Sequence, residues 1–125
     1  MDVTPLVKSG QQIIQSYAGG RFRVSGTTYD HAVLVSPSDT CEWTVSGTAE
    51  MLNEEDFRPL LDRAEDIDVV LFGTGAKLVF ISPALKNTLK KQGLSIEAMD
   101  TGAACRTYNV LMAEGRRVFA ALIPV

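Results

Sequence analysis

The stretch Asp68-Val69-Val70-Leu71-Phe72-Gly73-Thr74-Gly75 joins four consecutive apolar residues to a turn that contains two glycines. Four apolar residues in a row predict a strand that is covered on both faces, in the interior of a sheet packed by helices. The glycines allow the chain to leave this strand at backbone angles that other residues avoid. Ligands of open α/β sheets usually bind at the carboxyl ends of strands, so this turn is the first place to expect a site.

The composition predicts one globular domain over residues 1–125, with a β-rich front at 1–50 and an α/β back at 51–125. The chain is 46% hydrophobic and 22% charged, which is ordinary for a globular protein. Its net charge of −3 argues against nucleic acid as a partner. Acidic residues cluster between Glu54 and Asp68, and a solvated helix face explains this run more simply than an acidic docking site does.

Neither a targeting segment nor a metal site is expected. Residues 1–5 lack the basic and apolar regions of a secretory signal, and the apolar runs are shorter than the ~20 residues of a membrane span. Two cysteines, Cys41 and Cys105, and one histidine, His31, cannot complete a zinc site by themselves. A disulfide between the cysteines is an alternative, but a reducing compartment is favoured, and we expect a cytoplasmic protein without a cofactor.

The front of the chain reads as β structure followed by a helix. Residues 11–18 and 21–24 predict a hairpin around Gly19-Gly20. Tyr29, His31, Val33 and Val35 predict one face of a further strand, and residues 41–45 a short fourth strand. Asn53 is a candidate N-cap for the helix, with Leu52 and Phe57 at the spacing of a hydrophobic staple. Because Pro59 removes a backbone hydrogen bond, this helix either begins nearer Asp56 or is kinked.

The back of the chain alternates helices with strands. Ser82-Pro83 predicts a helix start, and Gly93 the end of that helix. Residues 94–99 predict a strand, and Asp100-Thr101 the cap of a helix that Gly115 ends. Residues 118–123 are a second fully apolar strand. This alternation favours an α/β fold.

The turn Gly73-Thr74-Gly75 resembles a nucleotide-binding loop only superficially. The third glycine of G-x-G-x-x-G is absent, since Leu78 occupies that position, and the next helix begins only near Ser82. A glycine-rich exit from a buried strand is therefore favoured over an anion held by backbone N–H groups. If a ligand does bind here, Asp100, Thr101 and Asn109 are the candidate polar contacts.

Cys105 is a weak candidate nucleophile. It lies in the first turns of a predicted helix, where the helix dipole favours a thiolate, and His31 could serve as its base. However, Cys105 also falls on the apolar stripe of that helix, where cysteine is commonly a small buried hydrophobe. We assign no catalytic residue.

The segment Leu78-Val79-Phe80-Ile81 is apolar at a position where connections are usually polar. A short extra strand or turn packed against the sheet is favoured over an apolar docking patch, which soluble monomers seldom leave uncovered. Trp43 has the same ambiguity, because it would be an anchor for a partner if exposed and a core residue otherwise.

Several short motifs occur together in the chain: Gly73-Thr74-Gly75, Gly93, Asp100-Thr101, Ala104-Cys105, Thr107-Tyr108-Asn109, Glu114-Gly115-Arg116 and Ala120-Ala121-Leu122-Ile123-Pro124. In this combination they resemble a domain-of-unknown-function family that includes the mitochondrial complex I assembly factor three and the adipogenesis-associated protein of vertebrates. The chain differs at Gly102, where relatives often have proline. It shows no mitochondrial presequence, so a bacterial, free-standing member is expected.

The resemblance implies a three-layer α/β fold, with a mixed central sheet, helices on its faces and an additional β-hairpin layer. It implies no established enzyme activity, and for the eukaryotic assembly factor it implies a role in early complex I construction. Our first hypothesis is therefore a non-catalytic binding or assembly module that meets a protein partner near Phe80 and Tyr108. The second is an enzyme or a small-anion or metabolite-binding protein with its site at Gly73-Thr74-Gly75.

Overall fold

The computed structural model describes residues 10–45 and 47–125. Their eight strands form two sheets: β1 (Ile14–Ser16), β2 (Phe22–Val24), β3 (Thr27–Tyr29), β4 (Val33–Val35), β5 (Thr40–Glu42), β6 (Val69–Gly73), β7 (Ile96–Met99) and β8 (Val118–Leu122). The α-helices are α1 (Arg58–Leu61), α2 (Pro83–Lys91) and α3 (Thr101–Ala113). Short 3₁₀ turns cover Ala49–Met51, Glu54–Phe57 and Ala64–Asp66.

The five-stranded main sheet is mixed, with the order β5-β4-β8-β6-β7. Strand β6 runs parallel to both of its neighbours, β7 and β8, whereas β4 is antiparallel to β8 and to β5. The interior position predicted for the strand that ends at the glycine turn is confirmed. The second apolar strand, β8, lies beside β6, and all five of its residues are buried, as expected for a central strand.

The two faces of the main sheet pack into separate cores. Val70 and Phe72 of β6 face a first core shared with Trp43, Phe57 and Leu89. Leu71, between them, faces a second core formed by α3 and by the inner residues of the small sheet, β1-β2-β3. The expected three-layer α/β architecture, with helices on both faces and an added hairpin layer, is confirmed.

Local capping explains where the helices begin. The Ser82 and Asp100 side chains accept hydrogen bonds from Leu85 N at 3.1 Å and from Ala103 N at 2.9 Å, so both predicted caps are confirmed. Asn53 caps a 3₁₀ turn rather than an α-helix. The α-helix begins only at Arg58, which places Pro59 in its first turn, where a missing N–H costs nothing.

The predicted strand through Tyr29 and Val35 is wrong as a single element. Its first part is β3, which pairs with β2 in the small sheet, and its last part is β4, in the main sheet. The chain crosses between the sheets at Asp30–Ala32. Tyr29, Val33 and Val35 all pack in the second core, so the apolar alternation continues across this crossing and the pattern alone could not reveal the break.

Candidate functional site

Gly73, the first glycine of the turn at the end of β6, is packed against α3 and β8. A Cβ added to Gly73 would lie 2.9 Å from Leu122 Cδ2 and 3.0 Å from Thr101 Cα. Neighbouring side chains therefore pack against the carboxyl end of β6, and glycine is required there for close packing rather than for an unusual backbone angle.

Two buried threonines saturate the polar groups of this turn. The Thr101 hydroxyl donates to Ile123 O at 2.7 Å and accepts from Gly75 N at 2.9 Å. The Thr74 hydroxyl donates to Lys77 O at 2.6 Å and accepts from Val79 N at 3.0 Å. A ligand bound at this turn would have to displace these contacts, because the hydroxyls and Gly75 N–H already have protein partners.

The structure brings together most of the residues predicted for this site. Asp100 and Thr101 begin α3 directly beside Gly75, whose carbonyl accepts from Thr101 N at 2.9 Å. Asn109 does not join them. Its amide instead clamps β1, accepting from Ile14 N at 2.9 Å and donating to Ile14 O at 2.8 Å. Ligand binding at the turn stays a prediction.

The two residues predicted for a partner surface differ in exposure. Phe80 is 82% exposed, but Tyr108 is fully buried in the second core, where its hydroxyl donates to Gln12 O at 2.9 Å. Tyr108 is therefore wrong as a surface residue, and burial raises the pKa of its phenol. Its place on the apolar stripe of α3 was the signal that favoured the core.

The segment at 78–81 forms no strand, and its side chains alternate in direction. Val79 and Ile81 pack against the first core, whereas Leu78, which is 46% exposed, and Phe80 face outward. The inward pair fixes the segment to the protein, so the outward pair is held in place as an apolar surface. We call Leu78 and Phe80 the apolar pair.

Cys105 and Trp43 are core residues. Burial raises the pKa of the Cys105 thiol to about 12, which keeps it protonated and unreactive near neutral pH. His31, its candidate base, lies instead beside Ala32 O at 2.9 Å and Glu42. Trp43 is buried and donates from its indole nitrogen to Asp56 O at 2.7 Å.

Sequence reasoning missed a groove at the opposite end of the main sheet, near the amino end of β8. This groove has a volume of about 360 Å³, and a second cavity of about 70 Å³ shares Arg63 and Phe119 with it. The residues that line the groove come from five separate parts of the chain: Gln11, Pro37-Ser38, Arg63, Asp66, and Gly115 to Arg117 with Phe119. The one local signal was the pair Arg116-Arg117 directly after a helix end.

Two of the three arginines that line this groove, Arg63 and Arg117, are positioned by neighbouring groups. Arg63 contacts Asp39 at 3.2 Å, and its guanidinium lies 4.7 Å from the centre of the Phe119 ring. A hydrogen bond from Ser36 lowers the pKa of Asp39, and Arg63 acts in the same direction. Arg117 contacts Asp68 at 2.9 Å.

Over residues 10–45 and 47–125, the structure contains no group of three or more His, Cys, Asp or Glu that could hold a metal ion. None of the helices in these ranges is both long enough and apolar enough to cross a bilayer.

A family model described as "Protein of unknown function (DUF498/DUF598)" matches residues 14–123. An uncharacterized protein of Rhodobacter capsulatus is 33% identical over 94% of this chain and 88% of its own length. The NADH dehydrogenase (ubiquinone) 1 alpha subcomplex assembly factor 3 of Mus musculus is 32% identical over 89% of this chain and 60% of its own length. The crystal structure of a protein described as an outer membrane protein from Bartonella henselae has a TM-score of 0.83 at 33% identity, covering 93% of this chain and 97% of that one.

Proposed function

Because this chain belongs to the DUF498/DUF598 family of proteins of unknown function, we propose that it is a non-catalytic binding module that helps to assemble a protein complex. Its relative in mouse is named as an assembly factor for a subcomplex of NADH dehydrogenase. The chain spans 60% of that relative's length, so the role of the whole mouse protein is transferred here only as part of the proposal. Members of the same respiratory assembly are the candidate partners.

The observation that carries this proposal is the exposure of the apolar pair. Leu78 and Phe80 face outward while Val79 and Ile81 pack against the first core. An aromatic side chain has only two torsions to restrict on binding, and exposed aromatic residues are typical anchors of protein interfaces.

The charge around this surface indicates the kind of partner. Residues 76–96 contain four lysines, at 77, 86, 90 and 91, and no Asp or Glu. The segment 49–68 has the opposite balance, with eight acidic residues and two arginines. We therefore expect a partner with an apolar pocket and an acidic rim, because complementary charges steer association and define its orientation.

Site-specific photocrosslinking in cells tests the proposal. A photoreactive phenylalanine analogue is placed at position 80 and, as the matched control, at position 110. Val110 is a suitable control because it is also apolar and 52% exposed but lies on α3, which packs on the opposite face of the main sheet. Crosslinking at position 80 alone to a component or assembly protein of a respiratory complex is the expected result. Phe80→Asp should abolish co-purification of the same protein, whereas Val110→Asp should not.

Each other result contradicts a stated part of the proposal. Equal crosslinking at both positions, or none at position 80, refutes the apolar pair as the docking surface. A position-80 partner outside complex assembly refutes the assembly role. We also propose that the protein is cytoplasmic. Fractionation of the same cells tests this, because the protein should then appear in the cytoplasmic fraction.

The ligand hypothesis at Gly73-Thr74-Gly75 has its own test. Thermal-shift screening against nucleotides and acidic metabolites would reveal a ligand, because a bound compound raises the unfolding temperature by mass action. A shift that Thr101→Val removes would support a site at this turn, and no shift at high concentration would contradict it.

A further inference from the structure

The arginine groove, lined by Arg63, Arg116 and Arg117, has the dimensions of a ligand site. Its volume of about 360 Å³ lies within the range of small-molecule pockets, which is roughly 300–1,000 Å³. The groove lies near the amino end of β8, whereas the apolar pair follows the carboxyl end of β6, which runs parallel to β8.

The charges on the groove wall favour an anion. Three guanidinium groups and one carboxylate, Asp66, line it. Asp39 and Asp68 pair with Arg63 and Arg117, which positions these two guanidinium groups and offsets part of their positive charge. Among the described side chains Arg116 makes no ion pair or hydrogen bond and is exposed, which leaves its planar group available for two parallel hydrogen bonds to one anion.

The smaller cavity adds an apolar compartment. Its lining includes the apolar Leu34, Pro59 and Leu60 and the polar Ser36, Asp39 and Cys41, and it shares Arg63 and Phe119 with the groove. A ligand held at the arginines would therefore place any neighbouring apolar part toward this cavity. Inorganic phosphate would leave that apolar wall unused.

We propose that the arginine groove binds a small organic carboxylate, with the carboxylate at Arg116 and Arg63 and a short apolar tail in the cavity beside Cys41. The combination of planar donors and an adjacent apolar compartment is the observation that selects this ligand class.

Cys41 gives a direct measure of occupancy. Its side chain lines the smaller cavity and is exposed, whereas Cys105, the other cysteine of the chain, is buried. A neutral reagent such as iodoacetamide should therefore modify only Cys41 in the folded protein. Intact-mass measurement of the alkylation rate then reports whether the cavity is filled.

Hexanoate is the probe, and three compounds control for its parts. Hexanamide has the same shape without the charge, acetate has the charge without the tail, and inorganic phosphate supplies a different anion. We expect saturating hexanoate to slow the alkylation of Cys41 at least about fivefold and the three controls to leave it within about twofold, since both the charge and the buried tail contribute to affinity.

Matched arginine variants locate the effect. Arg116→Gln should raise the hexanoate concentration needed for half-maximal protection about tenfold, which is the change expected from losing about 1.4 kcal/mol of binding free energy. Arg21→Gln removes the same charge from an exposed arginine outside the groove and should leave protection unchanged. Both variants should fold, because neither exposed side chain makes a hydrogen bond or close ion pair with the described residues.

Every contrary outcome overturns the proposal. No protection by hexanoate, or equal protection by hexanamide, removes the anion site. Equal protection by phosphate or acetate removes the organic tail from the ligand class. Equal effects of Arg116→Gln and Arg21→Gln indicate a general charge effect. A tetraglutamate peptide is tested as a further compound, and protection by this peptide but not by hexanoate assigns the groove to an acidic protein segment.

Discussion

Replacing Thr101 with valine tests whether the turn after β6 is a closed structural junction. Valine has the same shape as threonine but lacks the hydroxyl, which donates to Ile123 O and accepts from Gly75 N. Thr101 itself is 0% exposed, so water cannot easily replace the lost partner of Gly75. A net hydrogen bond contributes about 1 kcal/mol, and a buried group left unpaired costs about 1–3 kcal/mol.

We therefore expect Thr101→Val to lower the free energy of unfolding by about 2–4 kcal/mol, with most of the loss arising at Gly75 N–H. Urea denaturation followed by circular dichroism measures this change, and the melting temperature should fall by roughly 10 °C for a chain of this size. Thr101→Ser keeps the hydroxyl and should lose only about 1 kcal/mol, the contribution of one methyl group. Thr88→Val is the control for an exposed hydroxyl, which bonds only Ala84 O of its own helix.

A Thr101→Val variant as stable as wild type would refute this reasoning. It would mean that water reaches Gly75 N–H in the folded protein, and hence that the turn is open. The structural interpretation of the turn would then be wrong, and the ligand hypothesis at Gly73-Thr74-Gly75 would gain the accessible N–H group that it requires.

Two further predictions concern the helix α3. Asn109→Ala removes both hydrogen bonds to Ile14. Because each bond contributes about 1 kcal/mol, hydrogen exchange of the Ile14 amide, measured by NMR, should become about tenfold faster or more. Unchanged exchange would show that Asn109 does not hold β1. Burial raises the pKa of the Cys105 thiol to about 12 and also raises the pKa of Cys41. Alkylation of Cys41 should therefore accelerate as the pH rises past 9, whereas Cys105 should stay unmodified until the protein unfolds. Mass mapping that finds native Cys105 labelled at pH 8 would contradict this.

The elements that could be predicted from the sequence are those with local causes. Ser82 and Asp100 cap their helices by hydrogen bonds within three residues, and both were recognisable from the chain alone. The strands β6 and β8 are buried on both faces, which gives a continuous apolar run rather than alternation.

The elements that could not be predicted depend on distant parts of the chain. The division between β3 and β4 is set by which sheet each strand joins, whereas their residues Tyr29, Val33 and Val35 keep one apolar alternation and pack in the same core. The sequence predicts Asn109 as a polar contact for a ligand at the glycine turn, but its hydrogen-bond partner, Ile14, lies 95 residues away in sequence. Likewise, Arg63 and Arg116 meet in one groove only because α1 and the end of α3 reach the same end of the sheet.

In this mixed sheet, the glycine turn where a site is expected and the arginine groove lie at opposite ends of the sheet. The rule that ligands bind at the carboxyl ends of strands applies to parallel sheets, whose helices leave a crevice there. Here the carboxyl end of β6 is filled, because Thr101 and Leu122 pack against Gly73. The antiparallel strand β4 pairs Val35 with Ala120, which brings the following loop, with Pro37 and Ser38, to the amino end of β8. That loop and the arginines after α3 line the groove, so the antiparallel strand supplies one wall of an open space at the end opposite to the glycine turn.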